Sequence, residues 1–111
     1  MGWEIHITRA DDWADSDSRP ITADEWLALV AADPELTIDP RDNGPHFALW
    51  LAHSVRGEHP WFDWFRGAIN TKHPDRKTLG KALEIARHFG ARVQGDDGEE
   101  YNRPEDLGGC A

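Results

Sequence analysis

The chain has 111 residues, the length of one domain, with room for a single core and not two. Its formal net charge of −9 sets it against polyanions, so neither nucleic acid nor an anionic membrane is an expected partner, whereas a protein with a basic surface is. Hydrophobic residues make up 39% and charged residues 30%, a polar composition that still folds, helped by six tryptophans and four phenylalanines that can each bury on the order of 150–250 Å².

Cys110 is the single cysteine, so no intramolecular disulfide forms; it follows Gly108 and Gly109 in a tail, residues 102–111, that is expected to be loose. No charged start precedes an apolar stretch, and no apolar run nears the roughly 18 residues that span a bilayer. The expected location is the cytoplasm, without membrane association.

Trp3 to Thr8 alternates apolar with polar, the period of a half-buried strand whose Trp3, Ile5 and Ile7 face the core. Ala10 to Pro20 has no period and reads as a polar loop, with Trp13 folded back. Thr22 and Glu25 form a Thr-x-x-Glu capping box; the helix that follows has Trp26, Leu27 and Val30 on its apolar face and ends at Asp33-Pro34. Glu35 to Asp39 reads as a short edge strand, and Pro40 to Pro45, containing Asn43-Gly44, as a turn. Phe47 to Leu51 is apolar on both faces, the mark of a central strand covered on part of its second side.

Trp61 to Lys72 reads as a hairpin about Arg66-Gly67, pairing Phe65 with Ala68, Trp64 with Ile69 and Asp63 with Asn70. Phe62, Trp64 and Ile69 then share the core face. His73-Pro74-Asp75 opens a second helix with Leu79, Ala82, Leu83, Ile85, Ala86 and Phe89 as its buried stripe and Gly90 as its left-handed end. Ala91 to Gln94 returns as a strand, Asp97-Gly98 turns, and Glu99 to Tyr101 is its brief partner. The fold class this order predicts is α+β: a single domain over 1–111 with an antiparallel-rich sheet of four to five strands and two helices on one face, a split β-α-β, ferredoxin-like variant.

With both helices behind the sheet, its front is expected to be free for contact and to display Glu4, His6, Thr8, Trp61, Asp63, Asn70, Lys72, Arg92 and Gln94. That mixture of aromatic, charged and amide groups suits recognition by a partner, although a solvated sheet face is polar for simpler reasons. The candidates for partner binding are therefore His6, Trp61, Asp63, Asn70, Lys72, Arg92 and Gln94 on the sheet, and Asp11, Asp12, Asp15 and Asp17 in the acidic loop. The loop lacks the glycine and the final glutamate of a calcium loop.

Among the six histidines, none forms a His-x-x-x-His pair, and His53 and His59, with Glu58 between them, read as ordinary loop residues rather than metal ligands. His88 reads as a partner for a helix C-terminus, and the carboxylates from Gly95 to Glu100 as part of a tight turn. Ser16, Ser18, Ser54 and Cys110 lack the setting of a nucleophile, and no phosphate loop is present, so no catalytic residue, metal site or cofactor is expected. An acid/base pair of His6 with Asp63 is the one arrangement from which chemistry could come.

The segments Trp3 to Arg9, Glu25-Trp26, Trp61 to Lys72 and Ala91 to Glu99 with Tyr101 together resemble a family of small, uncharacterised bacterial proteins, over nearly the whole chain. The resemblance brings no functional residue with it; size and acidity add an analogy to the immunity partners of bacterial toxins. The leading expectation is a non-enzymatic acidic protein-binding domain of the immunity type. The alternatives are a small enzyme or ligand-binding domain with a polar pocket on the open sheet face, and a homodimer joined through that face.

Overall fold

The structure, a computed structural model, describes residues 4–39 and 44–107. Its elements are β1 (Glu4–Thr8), a 3₁₀ helix (Trp13–Ser18), α1 (Ala23–Ala32), β2 (Leu36–Ile38), β3 (Phe47–Trp50), β4 (Trp61–Phe65), β5 (Ala68–Lys72), α2 (Arg76–Phe89), β6 (Arg92–Gly95), β7 (Glu100–Tyr101) and a second 3₁₀ helix (Pro104–Leu107). The strands form one sheet in the order β2-β3-β4-β5-β1-β6-β7, every neighbouring pair antiparallel. The fold is α+β, as the pattern predicts, but the sheet has seven strands rather than four to five. The short segments read as an edge strand at Glu35 to Asp39 and a brief partner at Glu99 to Tyr101 both pair into the sheet, as β2 on β3 and β7 on β6, and it is the total of four to five that is too low.

The central four strands run β6-β1-β5-β4. Because β1 and β4 are each antiparallel to β5, they are parallel to one another, and α1 lies in the connection between them while α2 connects β5 to β6. This is a split β-α-β order, widened at one edge by β2 and β3 and at the other by β7.

Both helices begin and end where local chemistry dictates. Thr22 and Glu25 make both hydrogen bonds of the capping box, Asp75 caps α2 through the Thr78 N–H, and Gly90 closes α2 with φ +63°. Trp26 and Val30 of α1 and the α2 stripe from Leu79 to Phe89 join Ile5, Ile7, Phe62, Ile69 and Val93 in one buried cluster, so both helices cover the same face of the sheet. Trp26 is fully buried and satisfies its indole N–H on the His46 carbonyl at 2.9 Å. Trp3, most of the Pro40 to Pro45 turn, and Gly108, Gly109 and Cys110 lie outside the described residues.

One feature departs from the sequence pattern. Lys81, on the apolar side of α2, is buried and bonds Asp33 at 2.7 Å, Glu84 at 3.0 Å and Glu35 at 3.1 Å, tying α2 to the link between α1 and β2. Burial works against its charge, but the three carboxylates outweigh burial and raise its pKa. Within the tail, Asp106 accepts the N–H groups of Asn102 and Arg103, and the second 3₁₀ helix packs on α2.

The hairpin pairs in the expected register, Asp63 with Asn70, Trp64 with Ile69 and Phe65 with Ala68. Its turn residues Arg66 and Gly67 both have positive φ, +51° and +87°, as a two-residue turn matched to strand twist requires. A Cβ on Gly67 would fall 2.7 Å from the Ser16 carbonyl oxygen and 2.8 Å from Pro20 Cβ, and the Gly67 carbonyl accepts the Ile21 N–H at 2.9 Å. The hairpin tip thus seats the chain that leaves the first 3₁₀ helix. Gly67→Ala is expected to lower stability by about 1–3 kcal/mol, read by thermal melting, and to raise quencher access to Trp13; unchanged melting would contradict the close approach.

Candidate functional site

Alternation along β4 sends Phe62 and Trp64 into the core and turns Trp61, Asp63 and Phe65 to the opposite face. Pairing carries this second face across the sheet in one row, Phe47, Asp63, Asn70, His6, Gln94 and Glu100, from β3 to β7. The expected open front is only partly open. The 13–18 segment, read from sequence as a loop, is a 3₁₀ helix that lies over β1 and β5, and its Asp12 N-cap accepts the Ala14 N–H.

His6 organises this covering. It is 3% exposed, with Nδ1 2.6 Å from Asn70 Oδ1, Nε2 2.8 Å from Asp96 Oδ1, and its ring stacked on Trp13 at 3.9 Å and 8°. Trp13 in turn donates its indole N–H to the Asp96 carbonyl and its backbone N–H to Gln94 Oε1, while Gln94 Nε2 reaches the Asp11 carbonyl. Thr8 and Ser16, both buried, bond one another at 2.7 Å. Burial pushes the Asp96 carboxyl up, but hydrogen bonds from His6 and the Glu4 N–H, with the His6 charge, outweigh it and hold that carboxyl below its ordinary 3.8.

Beside this clamp, between the 3₁₀ helix and the β4–β5 hairpin, is a cleft of about 440 Å³ with His6, Asn70 and Asp96 at one side and Trp61, Asp63, Phe65, Arg66, Glu4 and Asp17 around the rest. Trp61 is half-buried and stacked on Phe47 at 5.0 Å, whereas Phe65 is 63% exposed. Asp63 is half-buried and forms no ion pair among the described residues; burial pushes its carboxyl above the ordinary 3.8, against a smaller pull from His46 and the Trp64 N–H.

The structure therefore gathers His6, Asn70, Asp63, Trp61 and Asp17 at one cleft and distributes the other candidates. Gln94 is buried, spent on Trp13 and Asp11 rather than exposed. Arg92 lies between Asp11 at 3.5 Å and Glu100 at 3.3 Å; Lys72 is exposed, 3.9 Å from Glu4. Asp12 is a helix cap, and Asp15 is exposed on the 3₁₀ helix. His6 does not pair with Asp63: its nitrogens face Asn70 and Asp96 instead. Trp13 folds back as expected, but its place over His6 was not among the site candidates, nor were Phe65 and Asp96; Phe65 was legible as the third outward position of β4, whereas nothing local marks Asp96 or the target of Trp13.

Three further histidines, two in a loop and one in α2, have separate duties. His53 bonds Asp75 at 2.7 Å, His59 Nδ1 donates to the His53 carbonyl, and the exposed His88 meets the Phe89 ring edge-on. Among the described residues no group of three or more metal-ligating side chains comes together, and no helix is long and apolar enough to cross a membrane. The Gly95 to Glu99 segment is a tight turn closed by the Gly98 N–H on the Gly95 carbonyl at 3.0 Å. Compared with known proteins, the chain matches no family model, no curated protein and no solved structure.

His6→Ala is expected to cost about 2–3 kcal/mol, since it removes both side-chain hydrogen bonds of a buried ring and its stacking on Trp13; melting and acrylamide quenching would register both. Because the folded Asp96 carboxyl titrates below its unfolded value, its stabilisation is complete above about pH 4 and is lost as pH falls further; His6→Ala should flatten that acid limb. Asp63 has the opposite sign. Its folded carboxyl titrates above its unfolded value, so the ionised form weighs against folding, and Asp63→Asn is expected to raise the melting temperature at pH 7 with a gain that shrinks toward pH 4.

Proposed function

We propose that this chain is a non-enzymatic binding domain for a basic protein, of the immunity type, which neutralises a bacterial toxin by covering its surface. The observation that carries the reading is Phe65, 63% exposed at the mouth of a cleft walled by Glu4, Asp17, Asp63 and Asp96. An exposed aromatic beside carboxylates, of which Asp17 and Asp63 form no ion pair among the described residues, is the arrangement from which interface hot spots are built, the ring supplying buried area and the charges supplying steering and selection. The net charge of −9 and the exposed Asp11, Asp12, Asp15 and Asp17 extend the same field around the site. The resemblance to small bacterial proteins and the cytoplasmic location belong to this proposal.

A second reading, a small ligand-binding domain, is favoured by the cleft volume of about 440 Å³, which falls within the range of small-molecule pockets. Its binding form is better supported than its catalytic form, because His6 faces Asn70 and Asp96 and does not pair with Asp63. A small molecule carried by the chain from source cells into native mass spectrometry would favour this reading.

The test of the leading reading begins with a photoreactive side chain in place of Phe65, used to capture the neighbour in source cells, and continues with a complex rebuilt from purified components. We expect affinity to fall roughly tenfold or more between low and high salt, and Phe65→Ala to weaken binding by about 2 kcal/mol. Binding that ignores both salt and Phe65→Ala would end the proposal.

A further inference from the structure

The cleft has a charge imbalance that the fold does not resolve. Of its four carboxylates, Asp96 is engaged by His6, and Glu4 is 3.9 Å from Lys72. Asp63 and Asp17 form no ion pair among the described residues. The single lysine or arginine in the lining, Arg66 on the hairpin turn, forms no ion pair with these carboxylates among the described residues; its guanidinium lies 5.8 Å from the centre of the Phe65 ring. Asp63 is the more telling of the two: it sits in the middle of an outward row, with Trp61 and Phe65 two residues to either side on β4 and Phe47 and Asn70 opposite it on the neighbouring strands. A carboxylate that loses water in this way, with no ion pair and only a smaller pull from His46 in return, weighs against folding. Elsewhere in the same chain a buried charge is fully matched, as Lys81 is by Asp33, Glu35 and Glu84. An unmatched group in a concave, aromatic-walled site is what a binding site looks like before its ligand arrives.

Resting on the protein-binding reading above, we propose that this cleft seats the guanidinium of an arginine side chain presented by the partner, with Asp63 and Asp17 as its counter-charges and Trp61 and Phe65 as its aromatic walls. Guanidinium fits better than ammonium on three counts. It is planar and stacks on aromatic rings; it carries forked donors that match a carboxylate; and it is more weakly hydrated, so it enters a partly dry cleft at lower cost. The pose of Arg66 against Phe65 shows the same pairing within the chain, at the rim.

The test uses the full chain and N-acetyl-arginine amide as probe, with N-acetyl-lysine amide alongside, followed by the indole N–H signals of the tryptophans in two-dimensional NMR. The arginine probe should shift the Trp61 and Trp13 signals along a saturating curve in the millimolar range, more tightly than the lysine probe. Asp63→Asn, which is expected to fold at least as well as the parent, should weaken binding about fivefold or more. Asp24→Asn, an exposed change at the start of α1 away from the cleft, should not alter it. Absence of saturable shifts, equal binding of the two probes, or indifference to Asp63→Asn would each overturn the proposal. Its failure is separable from that of the wider reading: a purified partner whose binding needs Phe65 but not Asp63 would leave the docking face standing without its arginine seat, whereas a probe that binds as described in a chain with no protein partner would leave the seat without the docking face.

Discussion

A histidine buried on the side of a sheet away from its helices has to be answered from both ends of its ring and from above, and this requirement shapes the second face of the molecule. His6 lies in β1, third from one edge of a seven-stranded sheet, with Asn70 of β5 at one nitrogen and Asp96 of the β6–β7 turn at the other. Trp13 closes over the ring and is itself fastened to Gln94 and the Asp96 carbonyl. Each unmade bond in such a network would cost about 1–3 kcal/mol of desolvation, so the network holds together or fails as a unit. The short 3₁₀ helix that carries Trp13 is therefore a fixed part of the fold, and its edge, together with the β4–β5 hairpin, defines a cleft.

Charge is handled differently on the two sides of the sheet. On the helix side Lys81 is surrounded by three carboxylates, and at the start of α1 the Arg9 guanidinium grips Glu25 through both oxygens, which with the Thr22 N–H holds that carboxyl at about 2. These pairs fasten α2 and α1 to their surroundings. On the cleft side the carboxylates outnumber their partners, and Asp63 has been pushed toward neutrality by burial. Such a division separates groups that secure the structure from groups that the fold leaves without an ion pair. It also explains why net charge alone, −9 over the whole chain, says little about where binding occurs: much of that charge is already engaged by arginine, lysine and backbone donors.

Much of the architecture was legible in the sequence because the signals are local. A capping box, a left-handed glycine at a helix end, the 3.6-residue stripe of α2 and the period-two alternation of β1 and β4 each depend on residues within one or two turns of one another, and each formed as read. The shortest strands were read in place, yet the total of four to five was too low, because two or three residues carry no period and join a sheet only through the neighbour they pair with. The site was legible in part. His6, Trp61, Asp63 and Asn70 followed from alternation and register, since the hairpin turn fixes which residues share a face. Their separation into a closed clamp and an open cleft did not follow, nor did the roles of Trp13 and Asp96, which meet at β1 from about three-quarters of the chain apart.

What the sequence determined by itself is thus the set of elements and the face that each side chain takes, because backbone periodicity and turn geometry are decided by neighbours in the chain. Which of those faces stays open was decided only in three dimensions. A polar segment without period, residues 10–20, gains its shape from contacts with β1, β5, β6 and the hairpin tip, and long-range hydrogen bonding and stacking of that kind leave no local signature in the order of the residues.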